Sequence, residues 1–67
     1  MELCVTDVDR DEGTVVVLLG MTTDGSDETW KFAADPRAAR DIMVTIASGE
    51  DVYVEVEGWQ LLGKVVR

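Results

Sequence analysis

The alternation of apolar and polar residues predicts three strands before residue 35. Residues 3–8 alternate loosely, and the polar cluster at 9–13 ends in a glycine that suits a turn. Residues 14–22 are apolar or β-branched in both phases of the alternation, which is typical of a central strand. Asp24-Gly25 is a strong hairpin signal, and it leads into a third strand at residues 28–34.

The period changes from strand-like to helical at Asp35-Pro36. An aspartate is a preferred N-cap, and proline fits the first helical position, where no hydrogen bond is lost. The helix is predicted to cover about residues 36–48, with Gly49 as its stop. Its core-facing stripe is formed by Ala39, Ile42, Met43 and Ile46.

A second alternating segment follows the helix. Val52, Val54 and Val56 share one phase, which we expect to face the core. Reading Glu57-Gly58 as a two-residue turn predicts a hairpin with Val56 opposite Trp59 and Val54 opposite Leu61.

These elements predict one α+β domain spanning residues 1–67, in the order β-β-β-α-β-β. Two architectures fit that order: an open five-stranded antiparallel sheet with the helix across one face, or a partly closed barrel of the OB or SH3 kind. In the open sheet, an apolar patch remains on the helix-free face, and such a patch usually marks a contact between chains. The predicted self-association residues, for a homodimer, are Val16, Leu18, Leu62 and Val66.

Acidic residues dominate the charge of the chain and concentrate near its start. The 67 residues carry a formal net charge of −8, of which residues 1–28 contribute −7 with eight acids against one arginine. This surface repels nucleic-acid phosphates and anionic lipid, so we expect binding to neither. A partner with a basic surface is predicted to contact six of the acids: Asp9, Asp11, Glu12, Asp24, Asp27 and Glu28.

The residue types needed for most catalytic and metal sites are scarce. There is no histidine, and the single Cys4 has acidic neighbours that disfavour a reactive thiolate. Residues 7–13 resemble a calcium loop only superficially, because Gly13 comes one position late and Leu18 stands where a bidentate glutamate belongs. We therefore expect no catalytic residue, no metal site and no cofactor, in a cytoplasmic protein without internal disulfides.

Two functions remain open at this point. One is a non-enzymatic interaction module that occupies a basic, nucleic-acid-binding surface of a protein partner, by analogy with the small acidic inhibitors that phages use. The other is a homo-oligomeric structural or assembly protein, whose acidity reflects only solubility or the composition of its proteome.

Overall fold

A computed structural model of the chain describes residues 1–58 and 60–66. It confirms an α+β fold in the predicted order. The elements are β1 (Glu2–Asp11), β2 (Val16–Thr22), β3 (Thr29–Ala34), α1 (Pro36–Ala47), β4 (Tyr53–Glu55) and β5 (Leu61–Lys64). In this part of the chain, no helix is long and apolar enough to cross a membrane.

The helix begins and ends where local chemistry favours it. Asp35 is the N-cap, and its Oδ1 accepts a hydrogen bond from the Ala38 N–H at 2.9 Å. Gly49 takes the left-handed conformation (φ 90°) after the last turn and donates its N–H to the Ile46 carbonyl. Ala39 is buried against the sheet as predicted, but Met43 is 46% exposed, so its placement in the core stripe was wrong.

The five strands form one antiparallel sheet in the order β4-β1-β2-β3-β5. The predicted β4–β5 hairpin is therefore wrong, because β4 pairs with β1 and β5 pairs with β3, at opposite edges of the sheet. The predicted pairing of Val56 with Trp59 involves a residue outside the described part. No ladder joins β4 to β5 within residues 1–58 and 60–66, so the sheet is open. This matches the predicted open five-stranded sheet rather than the partly closed barrel.

The sheet is curled, because the short segment from Val56 to Gln60 connects its two edge strands, β4 and β5. The Val56 N–H donates to the Met1 carbonyl beside β1, and the Ala33 N–H donates to the Gln60 carbonyl beside β3. A turn between them closes with the Gln60 N–H donating to the Glu57 carbonyl. Four residues reach at most about 14 Å, whereas the edges of a flat five-stranded sheet lie roughly 19 Å apart. The edges must therefore bend toward each other.

The core fills the concave side of this curled sheet, under α1. Its buried members are Leu3, Val5, Val16, Leu18, Phe32, Ala39 and Val56. The predicted inward faces of the third and fourth strands are confirmed, since Trp30, Ala34, Val52 and Val54 pack against this cluster. Register shifts after Val5 and after Val8 insert Thr6 and Asp9 as extra residues in β1, which explains the loose alternation there.

Candidate functional site

The six predicted contact acids lie at two opposite ends of β2. Asp9, Asp11 and Glu12 form the β1–β2 acidic cluster, next to the first residue of β2; Asp24, Asp27 and Glu28 form the β2–β3 acidic cluster, beyond its last residue. Six residue steps of about 3.3 Å separate Val16 from Thr22, or roughly 20 Å. The structure therefore brings the six acids together as two groups of three rather than as one surface.

Basic side chains partly neutralise the β1–β2 acidic cluster. Asp9 Oδ2 lies 3.6 Å from Lys31 Nζ, and Glu12 Oε1 lies 3.2 Å from Arg10 Nε. Asp11 instead accepts a hydrogen bond from the Gly13 N–H at 2.8 Å, which orders the turn. Exposed ion pairs of this kind contribute about 0–1 kcal/mol, so they leave these carboxylates available to a partner.

The β2–β3 acidic cluster is built on a tight loop. Asp24 Oδ1 accepts hydrogen bonds from the Ser26 hydroxyl at 2.6 Å and from the Ser26 N–H at 3.0 Å. These bonds, the hydroxyl first, lower the pKa of Asp24 below its ordinary value of 3.8. Asp27 is exposed and has a φ of 55°, while Glu28 Oε2 lies 3.3 Å from Lys64 Nζ.

Two further acids, which the sequence interpretation missed, lie at the same end as the β2–β3 acidic cluster. Glu2 is directly opposite Glu55 in the β1–β4 ladder, and Glu2 Oε1 accepts a hydrogen bond from the Thr23 hydroxyl at 3.0 Å. Glu55 also pairs with the N-terminal ammonium at 2.6 Å. Only the pairing of β4 with β1 brings Glu55 here, and no local signal in the sequence indicates that pairing. Five acids thus share this end, which we call the five-acid end (Glu2, Asp24, Asp27, Glu28, Glu55).

A depression of about 380 Å³ adjoins the five-acid end. Its wall includes Ser26, Asp27, Glu28 and Lys64. Glu28 and Lys64 neutralise each other in this wall, and no group of three or more metal-ligating side chains occurs among the described residues. No charged residue in this part of the chain is buried.

The predicted self-association surface is wrong for two of its four residues. Val16 is 4% exposed and Leu18 is fully buried, because both face α1. The helix-free face of β2 carries Val17 and Leu19 instead. Because both alternating sets of residues in β2 are apolar, the sequence pattern does not indicate which set faces the core.

The remaining two self-association residues are accessible. Leu62 and Val66 are 53% and 88% exposed. On the helix-free face of β2, by contrast, Val17 is only 2% exposed, and the ion pair of Asp9 with Lys31 joins the two strands that flank β2. The exposed apolar patch predicted for that face is therefore not centred on β2.

Comparisons with protein-family models, with curated proteins and with solved structures found no match to this chain. Its function is therefore inferred from its own residues.

Proposed function

We propose that this protein is a non-enzymatic interaction module that binds a protein partner through the partner's basic surface. One observation carries the proposal: a chain with net charge −8 keeps every described acid at its surface and gathers five of them at one end of the sheet. Such a field raises the association rate with a basic partner and disfavours the approach of acidic molecules to this end of the sheet.

The five-acid end is the stronger of the two contact surfaces. Its five acids have two compensating cations, Lys64 and the N-terminal ammonium, whereas the three acids of the β1–β2 acidic cluster have two ion-pair partners, Arg10 and Lys31. Carboxylates held on strands and a tight loop present negative charge to a partner at low entropic cost. A protein that normally binds a nucleic-acid backbone presents the complementary surface, so the expected role is inhibition or regulation of such a protein.

The test is capture from an extract of the native host with three triple variants, each of which removes three negative charges. The first alters the five-acid end (Glu2→Gln, Asp27→Asn, Glu55→Gln), and the second alters the β1–β2 acidic cluster (Asp9→Asn, Asp11→Asn, Glu12→Gln). The control triple, at exposed positions elsewhere, is Asp41→Asn, Glu50→Gln and Asp51→Asn.

We expect the unaltered chain to retain a basic protein that high salt or added duplex DNA releases. The first variant should lose at least about tenfold in affinity for that protein, equivalent to 1.4 kcal/mol, and the control should lose little. Equal losses in the first and the control variants would show that only net charge matters and would refute the proposed site. Retention of no other protein would favour the structural or assembly role.

A further inference from the structure

The helix carries a second stripe, four apolar residues and one arginine, distinct from the stripe that faces the core. Pro36, Arg40, Met43, Val44 and Ala47 recur at steps of four, three, one and three, and this spacing places them on one side of α1. Met43 is 46% exposed and Val44 is 64% exposed. All five residues line a single depression, so this side of α1 has no covering element within the described chain.

Two depressions lie along this side of the helix. The first depression has a volume of about 390 Å³, and its wall includes Asp11 and Val16 from the sheet. A second apolar depression, of about 190 Å³, lies against Val5, Val8 and Leu18. Met43 and Ala47 line both, so these two residues separate the two hollows.

The charges on this surface are complementary to each other. Arg10, Lys31 and Lys64 are ion-paired within the chain, whereas Arg37 and Arg40 have no acidic partner within 4.0 Å among the described residues. Asp11, in the wall of the same depression as Arg40, has no ion pair in the described chain either. A strongly acidic molecule thus presents two unneutralised arginines beside its most exposed helical apolar residue.

We propose that this surface, the α1 side surface (Pro36, Arg40, Met43, Val44 and Ala47 with Asp11), binds a second copy of the chain. In a two-fold dimer the same patch meets itself, so the exposed Met43 and Val44 side chains of each copy enter the depression of the other. Arg40 of one copy then faces Asp11 of its partner, and the reverse contact follows by symmetry. The inference does not rest on the proposed function: the dimer uses Asp11 but none of the five-acid end, and a chain without a basic partner would still dimerise.

The size of the molecule limits how tight this dimer is. A standard interface buries about 800 Å² per partner, roughly a sixth of the 4522 Å² surface of this chain. The α1 side surface is one flank of a twelve-residue helix, so the dimer belongs to the smaller and weaker class of interfaces. We expect association to be visible in the micromolar concentration range.

The first test compares two matched substitutions by sedimentation velocity over a series of protein concentrations. Val44→Glu places a charge at the centre of the interface, and glutamate is a better helix former than valine, so the fold is kept. Leu62→Glu places the same charge at a similarly exposed position on β5. We expect Val44→Glu to raise the dissociation constant at least about tenfold and Leu62→Glu to leave it within about twofold.

The second test uses mixing of charge variants. Arg40→Glu and Asp11→Lys each place like charges opposite one another in their own homodimer, so each alone should be monomeric. In an equimolar mixture, both cross-subunit contacts pair opposite charges, and a heterodimer should form.

Three results would overturn the inference: a monomeric unaltered chain throughout the micromolar range, a dimer lost on Leu62→Glu but kept on Val44→Glu, or a mixture no more associated than its components. Circular dichroism of each variant verifies that the fold is retained.

Discussion

Gly20 is the position where the smallest substitution should be most damaging. It lies in the middle of β2, on the face that carries the core. A Cβ built on it would be 2.7 Å from Leu3 Cβ, and 3.2 and 3.3 Å from atoms of Leu3 and Phe32. The nearest atom belongs to the rigid base of a fully buried side chain, so Gly20→Ala forces a strand or the core to move.

The expected cost follows from two opposing terms. Overpacking of a core typically costs about 1–3 kcal/mol, while replacing glycine with alanine stabilises by about 0.4–1 kcal/mol through the unfolded chain. The net loss in the free energy of unfolding is about 1–2 kcal/mol. A core of this size rarely contributes more than roughly 3–5 kcal/mol, so much of the stability is removed. With a urea m-value near 1 kcal/mol/M, the midpoint should fall by about 1–2 M.

Gly58→Ala is the matched control. Gly58, like Gly20, does not have a positive φ, but a Cβ there would meet nothing within 4 Å. The entropic term alone then acts, and the urea midpoint should rise by about 0.4–1 M. If Gly20→Ala and Gly58→Ala shifted the urea midpoint equally, the close approach of Leu3 and Phe32 to Gly20 would not affect stability, and the reasoning would be refuted. Both should be measured at concentrations where the chain is monomeric, because association adds to apparent stability.

Three further substitutions test single features. Asp35→Ala removes the helix N-cap and should lower the free energy of unfolding by about 1 kcal/mol in urea titrations, whereas Asp35→Asn should not. Trp30 Nε1 is buried without a hydrogen-bond partner among the described residues, so Trp30→Phe should change stability by less than about 1 kcal/mol, against about 3–5 for Trp30→Ala; equal losses would contradict this. Asp24 has a lowered pKa, so its ionised form stabilises the fold above pH 3.8 and this contribution disappears as the pH falls below that value; Asp24→Asn should flatten this part of the stability–pH profile.

The elements that sequence analysis predicted correctly are those with local causes. Asp35, Pro36 and Gly49 act on backbone groups within a few residues, and they set the ends of α1 as expected. The segment around Asp24-Gly25 connects β2 and β3 as a hairpin for the same reason. These signals need no knowledge of what lies elsewhere in the chain.

The failures share a different cause, because each depends on distant residues. Glu57-Gly58 is compatible with a hairpin, but the Val56 N–H bonds to Met1, which precedes β1, and the Gln60 carbonyl bonds to Ala33 in β3. The inward phase of β2 was ambiguous because Val17 and Leu19 are as apolar as Val16 and Leu18. The five-acid end was only partly predicted for the same reason, since Glu55 reaches it through the ladder with β1.

The position of β4 has a consequence for how the chain folds during its synthesis. Leu3 pairs with Val54, which is synthesised 51 residues later. The outer edge of β1 therefore stays unpaired until β4 has been synthesised, after β2, β3 and α1. Meanwhile its unpaired edge offers hydrogen-bonding groups to any passing strand, including the one in another nascent copy. Ladders between such distant segments also slow folding, because the intervening chain must lose its freedom first. Both edge strands, β4 and β5, lie within residues 53–64, so a chain truncated before this stretch would leave β1 and β3 as two unpaired edges.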